Sequence, residues 1–116
     1  MYNCLMYSNE LIKGTLKTII LKLLQDSGRM YGYEITQRVK SLTDDKINLT
    51  EGALYPTLHK LQAESLITSE QEIFNGRKRK YYSITETGQA NATARAEEFI
   101  SFTKTMFAII KPQLTK

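Results

Sequence analysis

Apolar side chains recur at helical spacing in the first half of the chain. Between residues 10 and 26 they fall every three or four positions, as on one buried helical face, at Ile12, Leu16, Ile19, Ile20, Leu23 and Leu24. Gly28 follows in a position suited to end this helix with a positive φ. A second helix is predicted over about residues 31–42, with one apolar face formed by Ile35, Val39 and Leu42.

A third helix is predicted over residues 51–64. Thr50 precedes it as an N-cap, because a threonine hydroxyl accepts a hydrogen bond from a free N–H of the first turn. The core-facing positions are four and three residues apart: Leu54, Leu58 and Leu61. Pro56 lacks the N–H that an α-helix uses at this point, so a local bend is expected there.

The next segment has the signature of a β-hairpin. Asn75 and Gly76 stand between two strand-like runs, and this dipeptide favours a two-residue turn. Such a turn fixes the pairs Phe74 with Arg77, Glu72 with Arg79, Ser69 with Tyr82, and Ile67 with Ile84. The register predicts an apolar face at the base of the hairpin, an ion pair between Glu72 and Arg79, and a basic tip.

A long fourth helix is predicted from Glu86 to Ile110, with Pro112 after its end. One set of its positions is spaced four, three, four, three and four residues apart: Ala92, Ala96, Phe99, Thr103, Met106 and Ile110. This spacing is close to the heptad seam of helices that pair with each other. A domain of this size has little core to cover such a face, so we expect a homodimer in which Ala92, Ala96, Phe99, Met106 and Ile110 contact the partner.

The order of these elements is typical of a winged helix-turn-helix followed by a dimerisation helix. The fold class is therefore mainly α with a small β-hairpin. We expect an N-terminal tail at 1–9, a DNA-binding domain at 10–85, and the dimerisation helix and a tail at 86–116. In this architecture the third helix enters the major groove and the hairpin, or wing, lies along the phosphate backbone.

Charge and composition support a nucleic-acid partner and exclude several other classes. Lys and Arg number 16 against 12 Asp and Glu, and four of the 16 are consecutive at Arg77, Lys78, Arg79 and Lys80. These four cations repel one another in the free protein. On DNA they would bind phosphates and release counterions, which favours binding. With one cysteine, Cys4, and one histidine, His59, no catalytic pair, metal site or cofactor site is expected. Neither a signal peptide nor a membrane-spanning run is visible, so the cytoplasm is the expected compartment.

Three segments, "MYGYEITQRVK", "LTEGALYPTLHKLQAESLI" and "GRKRKYYSITETGQ", together carry a family resemblance. In this order and at these separations the chain resembles PadR-family transcriptional regulators, in the short subfamily with a single C-terminal dimerisation helix. The resemblance covers roughly residues 10–110 and extends to multidrug-sensing members. It implies a homodimeric repressor of its own or neighbouring genes, such as multidrug-efflux or phenolic-acid stress genes. It also implies a cavity for flat aromatic compounds between the subunits, lined by their first and last helices.

The fold and the resemblance together nominate residues for DNA binding. They are Tyr33, Thr50, Gly52, Ala53, Tyr55, Pro56, His59, Lys60, Arg77, Lys78, Arg79 and Lys80. A dimer should read a pseudo-palindromic site whose half-sites lie roughly 34–36 Å apart. The alternatives are an ordinary solvated helix face and a wing selected for solubility. Tyr31 and Tyr33 could equally pack against the wing.

A ligand site is the second expectation. Leu11, Thr15 and Thr18 form a further face of the first helix, and Phe99 and Thr103 lie mid-seam on the last. Two Phe99 rings facing each other could hold an aromatic effector, although some multidrug-sensing relatives have tryptophan here and this chain has none. Phe99 as plain dimer core is the other reading. The functional alternatives are a repressor relieved by an aromatic or phenolic effector, and a winged-helix architectural or protein-interaction module without one.

Overall fold

The computed structural model describes residues 7–111, which form four helices and three strands. In chain order they are α1 (Asn9–Ser27), β1 (Met30–Tyr31), α2 (Gly32–Leu42), α3 (Glu51–Ala63), β2 (Ile67–Phe74), β3 (Arg77–Ile84) and α4 (Glu86–Ile110). The predicted mainly helical fold with a wing is confirmed. Cys4, Pro112, residues 1–6 of the predicted 1–9 tail and residues 112–116 lie outside the described residues, and α1 already begins at the last residue of that predicted tail. Between residues 7 and 111, no helix is both long and apolar enough to cross a membrane.

Helix α1 supplies one side of the core. The Ser8 hydroxyl caps its start by accepting a hydrogen bond from the Leu11 N–H at 3.3 Å. The helix ends at Gly28, whose φ of 85° lies in the region that favours glycine, and the Gly28 N–H donates to the Leu24 carbonyl. Its buried positions are Leu16, Ile20, Leu21, Leu23 and Leu24. Four of these were predicted, whereas Leu21 was missed and the predicted Ile12 and Ile19 are half-buried.

Helices α2 and α3 pack their apolar faces on the same core. Ile35 and Val39 of α2 are buried as predicted, but Leu42 is 66% exposed. The prediction for Leu42 was wrong because this residue ends α2, beyond the turn that packs on the core. In α3 the predicted cap forms, since the Thr50 hydroxyl accepts from the Ala53 N–H, and the helix runs unbroken through Pro56. Its three core leucines, Leu54, Leu58 and Leu61, are fully buried.

The sheet is antiparallel with β3 in its centre. The predicted β2–β3 register is confirmed at all four pairs, from Phe74 with Arg77 to Ile67 with Ile84. Both turn residues, Asn75 and Gly76, have positive φ, as the tight hairpin turn requires. Strand β1 was not predicted, because two residues are too short to produce a sequence pattern.

Tyr82 of β3 reaches the centre of the molecule. It pairs with Met30 of β1 on one side and with Ser69 of β2 on the other. Its ring is almost completely buried, and this burial raises the pKa of its hydroxyl. Tyr82 thus joins the sheet to the helical core.

A short junction connects the wing to α4. Thr85 caps α4, because its hydroxyl accepts from the Gly88 N–H at 2.9 Å. The Thr85 N–H donates to the Leu66 carbonyl at 3.0 Å, which ties the junction to the segment that precedes β2. Gly88 is buried, and a Cβ at this position would collide with the Leu66 carbonyl oxygen. The sequence Thr-x-x-Gly therefore serves close packing at the start of α4.

We expect Gly88→Ala to lower the free energy of unfolding by about 1–3 kcal/mol, the usual cost of forcing a methyl group into a packed site. Gly52→Ala is the matched control, since the nearest atom to a Cβ there is the Thr50 hydroxyl at 3.9 Å. Alanine is the better helix former, so this control should be unchanged or more stable by up to about 1 kcal/mol. Urea unfolding followed by circular dichroism measures both. Equal stability of Gly88→Ala and the wild type would contradict the packing role.

Candidate nucleic-acid interface and apolar groove

Helix α3 presents a polar face on the side away from its buried leucines. Five of the residues nominated for DNA binding are exposed there: Thr50, Gly52, Pro56, His59 and Lys60. Ala53 and Tyr55 are half-buried and pack against the core. The exposed set combines a helix N-terminus, a glycine and a cation, which suits close approach to a polyanion.

Two of the sequence motifs meet where α2 packs on α3. The Tyr55 hydroxyl lies so close to Gly32 that a Cβ there would collide with it. Tyr55 and Gly32 therefore set the distance between the two helices, which is a packing role that sequence reasoning had not given to Tyr55. Tyr33, the next residue of α2, is 63% exposed and borders a crevice of about 280 Å³ between α2 and α3. It remains available for contact with a ligand or with DNA.

The four consecutive cations of the wing differ in their surroundings. Arg77, Lys78 and Lys80 are exposed, whereas Arg79 is half-buried. The expected ion pair between Glu72 and Arg79 is wrong, although the two residues are opposite each other as predicted. Glu72 is instead paired with Arg29, with Nη1 and Oε2 2.8 Å apart. This bond holds the pKa of the Glu72 carboxyl below its ordinary value.

Arg79 contacts aromatic rings in place of Glu72. Its guanidinium carbon lies 4.2 Å from the ring centres of both Tyr31 and Phe74. Tyr31 in turn meets Tyr81 edge to face at 5.4 Å, and Arg29 lies over the Tyr81 ring at 4.3 Å. We call these five residues the wing stack. Tyr31 and Tyr33 were both predicted as candidates to pack against the wing. Tyr31 packs against it, and Tyr33 is largely exposed.

Sequence reasoning missed Arg29 as a member of this cluster. Alternation along β3 could have placed Arg79 and Tyr81 on one face. Arg29 and Tyr31 join them through β1, and a two-residue strand gives no pattern of its own. The partner of Glu72 therefore lies more than forty residues away in the chain, where local pairing rules do not reach.

A groove of about 830 Å³ lies between α1 and α4. It contains all five residues nominated for ligand binding: Leu11, Thr15, Thr18, Phe99 and Thr103. Phe102 and Phe107 add further aromatic surface, and the charged lining consists of Glu10, Glu98 and Arg95. The groove is thus mainly apolar, with two carboxylates and one guanidinium at its border.

Along α4, the nominated dimer positions differ in exposure: Ala92 is buried, Ala96 and Met106 are half-buried, and Phe99 and Ile110 are exposed. Ala92 is buried within the chain, where α4 packs on α1, so the prediction that it would contact a partner was wrong. Gln25 of α1 strengthens this contact by donating to the Gln89 carbonyl at 3.2 Å and to the Thr93 hydroxyl at 3.1 Å. The second half of α4 leaves large apolar side chains exposed: Phe99, Ile100, Phe102, Phe107, Ile109 and Ile110.

Several bacterial proteins resemble this chain in sequence. Residues 20–94 match the model of the transcriptional regulator PadR-like family. An uncharacterized protein of Lysinibacillus sphaericus is 34% identical over 95 residues, which are 81% of this chain and 86% of that protein. The transcriptional regulator Rv3488 of Mycobacterium tuberculosis is 39% identical over 64 residues, 55% of this chain and 57% of its own length.

Solved structures agree with these relatives. A transcriptional regulator from Clostridium thermocellum has a TM-score of 0.81 and 30% identity, covering 88% of this chain and 99% of that one. A PadR-like transcriptional regulator from Bacillus cereus has a TM-score of 0.73 and 27% identity, covering 88% and 97%. The chain therefore belongs to the PadR-like family of transcriptional regulators, which are DNA-binding proteins and not enzymes.

Proposed function

We propose that the protein is a homodimeric, sequence-specific transcriptional repressor. The observation that carries the proposal is the exposed polar face of α3 on the same small domain as a wing with exposed Arg77, Lys78 and Lys80. A helix of this kind fits the major groove, and a cationic hairpin fits the adjoining phosphates. A repressor of this kind acts where the chromosome lies, so we expect it in the cytoplasm.

Each nominated residue has a role in this proposal. The contacts from the helix-turn-helix are Tyr33, Thr50, Gly52, Ala53, Tyr55, Pro56, His59 and Lys60. Gly52 allows close approach, Lys60 adds positive charge, and the half-buried Ala53 and Tyr55 offer only their outer edges. The wing supplies the remaining positive charge through Arg77 to Lys80, which makes binding depend on salt.

Replacing two exposed wing lysines should weaken DNA binding and reduce its dependence on salt. We expect Lys78→Gln/Lys80→Gln to reduce the slope of log affinity against log salt by about 1.8, since each phosphate contact contributes about 0.9. Fluorescence anisotropy with the duplex upstream of the protein's own gene, at several salt concentrations, measures this slope. Lys13→Gln/Lys104→Gln removes the same charge from α1 and α4 and should leave the slope unchanged.

A scrambled duplex tests sequence preference in the same experiment. The wild type should bind the upstream duplex more tightly, because base contacts add to the shared phosphate contacts. Equal affinity for both duplexes would contradict sequence-specific repression. It would favour an architectural or protein-interaction module.

We propose that a second copy of the chain packs on the apolar residues in the second half of α4. Monomeric proteins rarely expose large apolar patches, and these phenylalanines and isoleucines are all exposed within twelve residues of one helix. Ala96, Phe99, Met106 and Ile110 lie along one seam, so the same face can pack on its symmetry mate. Ala92 supports this seam from inside the subunit.

Ile110→Asp should convert the dimer to a monomer, because a carboxylate would be buried without a partner in the apolar interface. Analytical ultracentrifugation measures the molecular mass at micromolar concentration. Ala108→Asp is the matched control, because residue 108 lies on nearly the opposite side of α4 and is exposed. A wild type that sediments as a monomer would contradict the proposed dimer.

The groove between α1 and α4 is the proposed effector site. Its aromatic lining suits a flat ring, and two carboxylates against one guanidinium favour a cationic aromatic over an anionic phenolate. Such a compound releases DNA only if it binds more tightly to the arrangement of the two wings that has low DNA affinity.

We expect at least one planar aromatic cation to raise the melting temperature of the protein and to lower its DNA affinity, since it binds the folded groove. Phe99→Ala should abolish both effects by removing the ring that stacks on the compound. Thermal shift and anisotropy across aromatic cations and phenolic acids measure them, with Leu42→Ala as the control, because Leu42 is exposed and lies outside the groove. A panel without effect on either quantity would favour the module without an effector.

A further inference from the structure

Strand alternation places the four wing cations on two opposite faces of the hairpin. Lys78 and Lys80 share their face with Tyr82, which points into the core. Arg77 and Arg79 share the other face with Tyr81. The run of like charges is therefore two separate pairs, and these pairs have different neighbours.

On the outer face, the Arg79 guanidinium contacts two aromatic rings. The ring centres of Phe74 and Tyr31 each lie 4.2 Å from its central carbon. Phe74 is at the tip of β2, and Tyr31 belongs to β1 at the other edge of the sheet. Arg79 thus bridges all three strands, whereas Arg77, Lys78 and Lys80 are exposed.

The same stack connects the wing to the helix-turn-helix. Tyr31 is the N-cap residue of α2, and its backbone N–H donates to the Glu34 carboxylate at 3.3 Å. The exposed Tyr33 follows two residues later. From Tyr31 the stack continues through Tyr81 of β3 to Arg29, which directly precedes β1. Arg29 forms ion pairs with Glu70 and Glu72 of β2. Movement of the wing relative to α2 would therefore disrupt these contacts.

We propose that Arg79 is a positioning residue, which fixes the wing relative to α2 and α3, and that the phosphate contacts of the wing come from Arg77, Lys78 and Lys80. The role rests on the DNA-binding function proposed above. A wing already held in its binding orientation loses less conformational freedom when DNA binds. The planar guanidinium of arginine stacks on aromatic rings, and the compact ammonium of lysine does not, so lysine is not an equivalent residue here.

The decisive variants change the stack without changing the charge. Arg79→Lys keeps the cation, and Phe74→Leu keeps all four wing cations while removing one ring. Each should lower affinity for the upstream duplex by about 2–5-fold, the size expected for one exposed cation–π contact. Their salt slopes should equal that of the wild type. Lys78→Gln is the contrast, with a slope lower by about 0.9.

Two further measurements separate positioning from a direct contact. In the DNA-free protein, hydrogen exchange of the β2 and β3 amides should be faster in Arg79→Lys and Phe74→Leu but not in Lys78→Gln. The double variant Arg79→Lys/Phe74→Leu should bind DNA about as well as Arg79→Lys alone, because Phe74 acts only through its contact with Arg79. Arg79→Gln should leave the salt slope close to that of the wild type.

The outcomes distinguish this proposal from the function on which it rests. If Arg79→Gln lowers the slope as much as Lys78→Gln while Phe74→Leu binds like the wild type, then Arg79 contacts phosphate and the positioning role is overturned. Wild-type affinity in both Arg79→Lys and Phe74→Leu also overturns it and leaves the repressor intact. A wild type that does not prefer the upstream duplex overturns the repressor, and the positioning role with it.

Discussion

The position of β3 between two partner strands constrains the rest of the molecule. Because β3 pairs with β1 on one side and β2 on the other, it cannot shift its register without breaking both ladders. Burial of Tyr82 fixes which residues of the strand face the core. Because side chains alternate between the two faces of a strand, the position of Tyr82 also fixes the face on which each remaining residue of β3 lies. Burial in the core therefore sets the direction of the exposed side chains at the wing tip.

Two glycines in the family motifs, Gly32 and Gly88, are required for close packing in this chain. The Tyr55 ring packs closely against Gly32, and the Leu66 carbonyl packs closely against Gly88. The first contact sets the spacing of α2 and α3, and the second sets where α4 leaves the sheet. Both sites lack space for a single methyl group. These motifs therefore specify the relative positions of helices as well as any surface that meets DNA.

The helices and the hairpin could be predicted because they depend on local signals. Periodic leucines, the Thr50 cap and the Asn75–Gly76 turn each act within a few residues of chain. Leu42 was assigned to the core because periodicity does not reveal where the packed surface ends. The Glu72–Arg79 pair was wrong for another reason. Arg29 and the aromatic rings compete for the two side chains, and they come from parts of the chain that only the folded sheet brings together.

The junction at Thr85 fixes the start of α4 directly to the base of the wing. Thr85 caps the helix, bonds to Leu66 and directly follows β3, so no flexible linker separates the hairpin from α4. The 25 residues of α4 extend over about 37 Å at 1.5 Å per residue. A tilt of about 5° therefore moves the far end by about 3 Å. A change in the direction in which α4 leaves Thr85 is therefore largest at the far end of the helix, where its phenylalanines are exposed.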